Sequence, residues 1–390
     1  MASEEVKSEQ VDKTPEEVST ADGIASKSSR LSCLRLIGIF AALIAVGGLL
    51  FWVIGRKPIT AELNRPLGPT LPPLPTPTAS TDQQGPGISP IATTPAPAQE
   101  NQPDPICDGP PQMTILAIGA DTQTTGFVRG LADVIRVVRV DFVTPSITML
   151  TVPRDLWLPL PGLEDYGPQL QDFFGIPLDE NGEEISYPAH SGRINVAYFY
   201  GNLYGLPGSG PGILAQALYY QLGIPVDHYI AVNMGTLAEI IDAVGGVNVE
   251  VTLPTNDIPA GTYYMSGEEA LRYARSRKDD NDWYRSERQN DVLGALRDKA
   301  LQPSTLASIP AIYDAFENDI LTDLSKAQIT TLTCLLNNVE REAITTYTIG
   351  PDMVTQTYTS KGAFALLPDY EKISVVVETF MTHIPELSGE

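Results

Sequence analysis

The chain has 390 residues, 43% of them hydrophobic, enough to bury a sizeable core in one large domain with accessory segments. Its formal net charge of −23 argues against a nucleic-acid binder, which needs a basic footprint, but leaves room for a local anion site. Three cysteines without a CxxC pair argue against a thiolate zinc site, and three histidines leave carboxylates and arginines to carry any chemistry.

In chain order, residues 1–33 read as a disordered cytoplasmic tail rich in Glu, Ser, Lys and Thr. Residues 34–55 read as a transmembrane helix built on the uninterrupted apolar run Leu36–Gly55. At ~1.5 Å per residue, about 20 residues span the ~30 Å hydrocarbon core. A cleaved signal peptide is the competing reading. The run starts late, exceeds a signal h-region and lacks an A-x-A site, which favours an uncleaved anchor. Lys27, Arg30 and Arg35 precede it and Arg56 and Lys57 follow, which favours a cytoplasmic N-terminus and an extracytoplasmic C-terminal domain. Residues 56–111 shift to Pro, Thr, Ala, Gly and Gln and should extend as polyproline II. They are either a spacer that lifts the domain from the membrane or a passive linker.

Residues 112–388 predict one domain of the α/β (α+β) class, a central mixed β-sheet flanked by helices. Residues 113–119 predict a buried strand, and residues 134–143 and Ile147–Val152 a hairpin around Pro145. Residues 156–192 read as loop with a turn at Glu180-Asn181-Gly182. Helices are expected at Asn195–Tyr204, Gly212–Leu222, Met234–Val244, Ser266–Arg275, Trp283–Ala300, Ser325–Asn338 and Asp369–Thr382. Strands are expected at His228–Val232, Val247–Thr252, Ala343–Ile349 and Val354–Thr359.

Three clusters can carry chemistry. Asp121 ends the first strand after Gly119, and Asp133 enters the next. Carboxylates there suit a hard cation such as Mg²⁺, which pairs with substrate phosphates; ordinary turn aspartates are the alternative. Pro153-Arg154-Asp155 follows a buried strand. Its guanidinium fork suits phosphate, or it pairs with its neighbouring Asp. The third cluster holds Arg272, Arg275, Arg277, Lys278, Arg285 and Arg288. Asp282, Arg285, Arg288 and Gln289 fall roughly on one helical face. The arginine bias favours anion recognition over a solvated surface salt-bridged to Asp279, Asp280 and Glu287.

Taken in order, these segments resemble the LytR–CpsA–Psr family. They are Gly119–Asp121, Asp133, Pro153–Asp155, Arg193-Ile194-Asn195-x-Ala197-Tyr198, Gly245–Val247, Gly267–Leu271, Arg275–Arg277 and Asp282–Gln289. The anchor and proline-rich spacer match the family architecture. The resemblance implies a phosphotransferase that moves a glycopolymer from an undecaprenyl-pyrophosphate carrier to a peptidoglycan hydroxyl, with Mg²⁺, and with pyrophosphate cleavage as a side activity. It implies Asp121 and Asp133 as the acidic pair at the metal. It implies Arg154, Arg275, Arg277, Arg285 and Arg288 around the pyrophosphate, with Gln289 beside them and Arg193 at the basic position of its motif. Arg129 lies four residues before Asp133, where the family has an Arg one to three before. The alternative is a non-catalytic envelope protein that binds polyprenyl pyrophosphate or glycopolymer. The lipid carrier needs an apolar slot, which the helices at 212–222 and 234–244 could line if they are not simply core. The expected partners are the lipid-linked polymer, peptidoglycan and the membrane, with no nucleic acid.

One further expectation comes from compartment. Cys33 lies at the inner edge of the membrane segment, where its thiol stays reduced. Cys107 and Cys334 lie outside and can pair, the alternative being two buried free thiols.

Overall fold

The computed structural model describes residues 67, 103–122, 127, 130–276 and 282–383. The Leu36–Gly55 run, Cys33, most of the 56–111 linker, Arg129, Arg277, Lys278, Asp279 and Asp280 lie outside the described residues. Among the described residues, no helix is long and apolar enough to cross a membrane.

The domain starts as an antiparallel meander of β1 (Gln112–Ala120), β2 (Ala132–Asp141) and β3 (Ser146–Val152). Alternating β-branched residues build these strands. The Asp141 carboxylate closes the β2–β3 turn by accepting the N–H groups of Val143 and Thr144 at 2.9 and 2.8 Å. Two short paired strands follow, β4 (Trp157–Pro159) and β5 (Ser191–Arg193), with helix α1 (Gly167–Phe174) between them. The sequence showed only loop here, with the expected turn confirmed at Asp179–Gly182. Next come α2 (Ile194–Leu203), α3 (Ser209–Leu222), β6 (His228–Asn233), α4 (Met234–Ala243), and the hairpin β7 (Val247–Val251) and β8 (Gly261–Met265). Helices α5 (Gly267–Arg275), α6 (Asp282–Ala300), α7 (Pro303–Leu306) and α8 (Ile309–Phe316) lead to β9 (Ile320–Thr322). The chain closes with α9 (Lys326–Leu336), β10 (Ile344–Thr348), the hairpin β11 (Val354–Tyr358) and β12 (Phe364–Pro368), and α10 (Tyr370–Thr382).

The central sheet runs β10-β3-β2-β1-β6-β9. β1 pairs parallel with β6 and β3 with β10, while the other pairs are antiparallel, so the sheet is mixed as expected. One face, with Leu116, Ile135, Val137 and Leu150, packs under α2, α3 and α10. The other, with Met113, Ile115, Val140 and Ile147, packs against Ile329 and Leu335 of α9. Ile213, Leu214, Leu218 and Leu222 of α3 are spent on the first core, at about 1.5–3 kcal/mol for each large apolar side chain. A third cluster joins Ile241, Val249, Met265, Tyr273 and Val292 from α4, the β7–β8 hairpin, α5 and α6.

Local signals set the helix ends. Ser266 and Glu269 form a capping box on α5, as Ser325 and Gln328 do on α9. Gly245 and Gly246, both at positive φ, stop α4, where a Cβ on Gly246 would strike the Tyr264 ring. Cys107 and Cys334 are joined in a disulfide with their Cα atoms 5.9 Å apart. The bridge sits on a short turn in which Cys107 and Asp108 both take left-handed backbone, a strained choice for side chains.

Candidate functional site

The site is built on a defect in the sheet. Gly119 pairs with Val134, but Ala120 pairs with Ala132, so Asp133 is the extra residue of a β-bulge. A bulge re-aims a side chain that strict alternation would have fixed. A Cβ on Gly119 would lie 2.9 Å from Val134 Cβ, which explains the glycine ahead of Asp121. The N–H groups of Asp121 and Asp133 both donate to the Leu131 carbonyl, at 2.8 and 3.1 Å. The two aspartates therefore share one corner of the sheet.

Asp133 is 4% exposed and held from two sides. Arg154 Nη1 lies 2.8 Å from Oδ1, and Arg285 Nη2 donates to Oδ2 at 2.6 Å. Arg154 also contacts Asp155 through Nε at 3.2 Å, and Arg193 Nη1 donates to the other Asp155 oxygen at 3.0 Å. The neighbouring Arg–Asp pair expected at Arg154 is thus present, and it forms part of a longer chain. From Arg193 through Asp155, Arg154 and Asp133 to Arg285, charges alternate. Beyond it, the Arg193 guanidinium sits over the Phe174 ring, 5.2 Å from its centroid.

α6 places Arg285, Arg288 and Gln289 on one buried face at i, i+3 and i+4. Arg288 is fully buried and donates through Nη2 to the Ser276 carbonyl at 2.7 Å, which ties α6 to the end of α5. The alternative of a solvated, salt-bridged surface does not hold for Arg285, Arg288 and Gln289, which are buried; Asp279 and Asp280 lie outside the described residues. A face with period 3.6 shows only that they lie together; the partners that bury them are Asp133 for Arg285 and the Ser276 carbonyl for Arg288. The side chain of Asp282 lies outside the described residues. Arg275, in the last turn of α5, approaches Asp121 at 4.0 Å, and this pair is the open part of the site, with side chains 30% and 39% exposed. Arg154, Arg193, Arg275, Arg285 and Arg288 outnumber Asp121, Asp133 and Asp155, so positive charge is in surplus here within a strongly acidic chain. Such a surplus on forked donors binds an oxyanion.

Two supports escaped the sequence reading. Tyr273 of α5 donates to Asp291 of α6 at 2.6 Å, and Asp291 accepts from the Thr252 N–H at 3.2 Å. Burial, and then Asp291, push the Tyr273 phenol above its ordinary value, so it stays a donor. Arg136 of β2 donates to Asn290 of α6. Burial, and then nearby Arg297, lower its guanidinium to about 10. Neither Tyr273 nor Asn290 shows a pattern that separates it from core or surface. A cavity of about 270 Å³ adjoins Asp133 and Arg154, between the ends of β3 and β10 and the outer side of α6.

Among the described residues no group of three or more His, Cys, Asp or Glu side chains gathers for a metal. Two carboxylates at one sheet corner nonetheless fit Mg²⁺, which keeps several waters and takes substrate phosphate oxygens for the rest. Asp121 is the open donor of that pair, and Asp133 would share its charge with two arginines.

The model of the LytR_cpsA_psr family matches residues 94–377. The polyisoprenyl-teichoic acid–peptidoglycan teichoic acid transferase TagU of Enterococcus faecalis is 27% identical over 220 residues, 55% of this chain and 62% of that protein. The transferase of the same description named TagV, from Bacillus subtilis, is 25% identical over 286 residues, 70% of this chain and 64% of that protein. The match thus spans a little under two thirds of the length of each. The crystal structure of B. subtilis TagV superimposes with a TM-score of 0.52 at 24% identity, over 70% of this chain and 98% of that one, a likeness of fold.

Proposed function

This chain belongs to the LytR_cpsA_psr family, and from that premise we propose that it is a phosphotransferase of the cell envelope. It moves a glycopolymer from an undecaprenyl-pyrophosphate carrier to a hydroxyl of peptidoglycan. The observation that carries the reading is the alternating Arg–Asp chain at the sheet corner, with its surplus of positive charge. The names of the E. faecalis and B. subtilis relatives support it. The Leu36–Gly55 run would anchor the chain, with the catalytic domain 112–388 outside the membrane beyond the 56–111 linker; its length and its flanking basic residues support this.

Phosphoryl transfer asks a protein for charge neutralisation and alignment more than for covalent help. Arg275, the most exposed of these arginines, meets the pyrophosphate first. Arg154, Arg193, Arg285 and Arg288 stand behind it on rigid elements, with Gln289 as a neutral donor; Arg129 and Arg277, which lie outside the described residues, are assigned to the same task by the family resemblance alone. The acceptor hydroxyl attacks the polymer-bearing phosphorus. The bond to the lipid phosphate breaks, and polyprenyl phosphate leaves with its electron pair stabilised by the arginines. Asp121, the exposed carboxylate, takes the hydroxyl proton. A Mg²⁺ held by Asp121 and Asp133 would supply further neutralisation at the phosphate oxygens. Water in place of the acceptor gives pyrophosphate cleavage as a side reaction.

The test is direct. The full chain in detergent is given a polyprenyl-pyrophosphate-linked oligosaccharide and peptidoglycan. Release of polyprenyl phosphate with label fixed to the wall polymer is expected. Tight retention of the lipid with no phosphate product would replace the transferase with a binding protein.

A further inference from the structure

A transferase must seat two substrates, and the arginine chain accounts for one. We propose that the cavity beside Asp133 and Arg154 is the acceptor subsite, and that it takes a neutral sugar ring of a glycan strand. The inference rests on the transferase reading above.

Its position is the first reason. Asp133, Arg154 and Gln289 of the anion site form part of its wall, so a ligand inside lies next to the bound pyrophosphate. Its volume, about 270 Å³, is the second. That is just below the roughly 300–1,000 Å³ of small-molecule pockets, right for a ring or two and far too small for a long prenyl chain.

Charge and lining give the third. Among the described residues that line it, the single cation is Arg154, and its guanidinium already holds Asp133 and Asp155. Glu287 of α6 also belongs to the lining. The lining carries two carboxylates, Asp133 and Glu287, against that one cation, and Arg193, Arg275, Arg285 and Arg288 are absent from it, so the pyrophosphate belongs to the arginine side and this pocket to an uncharged group. Val134 and Pro351 offer an apolar surface, while Thr151, Thr348, Glu287 and Asn290 offer hydroxyl, carboxylate and amide groups. A pyranose has the matching division, a C–H face and a rim of hydroxyls. Asn290 is held by Arg136, so its amide does not turn freely to suit each ligand.

Thr348, at the exposed end of β10, allows the pocket to be filled without disturbing the core. Thr348→Trp places an indole in it, and Thr346→Trp, two residues back on the same strand and absent from the lining, controls for the added ring. The probe is an uncharged GlcNAc–GlcNAc disaccharide, followed by ligand-observed NMR on the full chain. The wild type and Thr346→Trp should bind it, and Thr348→Trp should bind it about tenfold or more weakly. The ratio of transfer to pyrophosphate hydrolysis should fall by a similar factor in Thr348→Trp alone. No binding to the wild type, equal binding to Thr348→Trp, or displacement of the disaccharide by polyprenyl phosphate would each overturn the assignment. A wild type that binds the disaccharide but neither transfers nor hydrolyses keeps the pocket and removes the transferase.

Discussion

Arg285 lies 152 residues along the chain from Asp133, yet its Nη2 holds Asp133 Oδ2 at 2.6 Å. With Arg154 on the other oxygen, a buried carboxylate joins the bulge in β2, the end of β3 and α6. Removing one member of a buried pair leaves uncompensated charge at a cost of about 3–5 kcal/mol. Asp133→Asn should therefore lose stability on that scale in urea unfolding, as well as activity. Asp121→Asn should stay within about 0.5 kcal/mol of wild type, because its contact with Arg275 is long and exposed, while losing Mg²⁺-dependent turnover. Equal stability of the two variants would mean that Asp133 does not hold the arginines.

Arg275 and Arg288 should separate in the same way. Arg275→Ala removes a forked donor at the open end of the site. Transition-state stabilisation should fall by about 1.5–3 kcal/mol, roughly 10- to 150-fold in kcat/KM, with an unchanged melting temperature. Arg288→Ala empties a fully buried position and frees the Ser276 carbonyl, so it should melt several degrees lower. Turnover at the wild-type rate in Arg275→Ala would remove that residue from the site.

Tyr273→Phe tests the brace between α5 and α6. Losing the donor to Asp291 should cost about 1–2 kcal/mol and raise KM for the pyrophosphate donor, since Arg275 and Arg288 sit on the two braced helices. The phenol is raised in the folded state, so its contribution is complete below the unfolded value of about 10 and is lost as pH rises beyond it. Wild type should lose more stability than Tyr273→Phe between about pH 10 and 11 in matched urea titrations. Parallel curves would show that the phenol bears no such load.

The Cys107–Cys334 bridge closes a loop across a sequence separation of 227. On the chain-entropy model that contributes about 5 kcal/mol, with measured gains often smaller. Cys334→Ser or added reductant should lower the unfolding midpoint by several degrees without changing the fold. Alkylation of Cys107 and Cys334 in protein isolated without reductant would contradict the pairing.

The sequence made the site's membership legible but not its wiring. Arg154, Arg285, Arg288 and Gln289 could be named because forked donors after a strand and polar groups on one helical face are unusual in so acidic a chain, while Arg193 came only from the family resemblance. That Asp133 is a bulge residue could not be seen. A bulge exists only in the register between two strands, and β2 alone shows smooth alternation. For the same reason the two arginines flanking Asp133 could not be paired with it: partners 21 and 152 residues away leave no local trace. Strands β9 and β12 were missed because ILT and FALLP are too short to show a period, and tertiary pairing decides them. Helix α1 was hidden by the Gly and Pro at its start, residues that read as loop until Pro is recognised at the first turn. The expected ends of α3, α4 and α5 were confirmed, because glycine stops and serine caps act within a few residues.

The position of the bridge has a mechanical consequence. Any tension arriving through the residues before Cys107 is delivered across the disulfide to α9 before it can reach β1. β1 is an interior strand whose end leads to Asp121, and a pull on it would peel the sheet from the corner where the chemistry is placed. With the bridge closed, that strand is mechanically bypassed, and force enters the fold through a helix that packs on the opposite face from α2 and α3. Single-molecule pulling from the N-terminal side should therefore show a lower rupture force after reduction, and an unchanged force would show that β1 bears the tension itself.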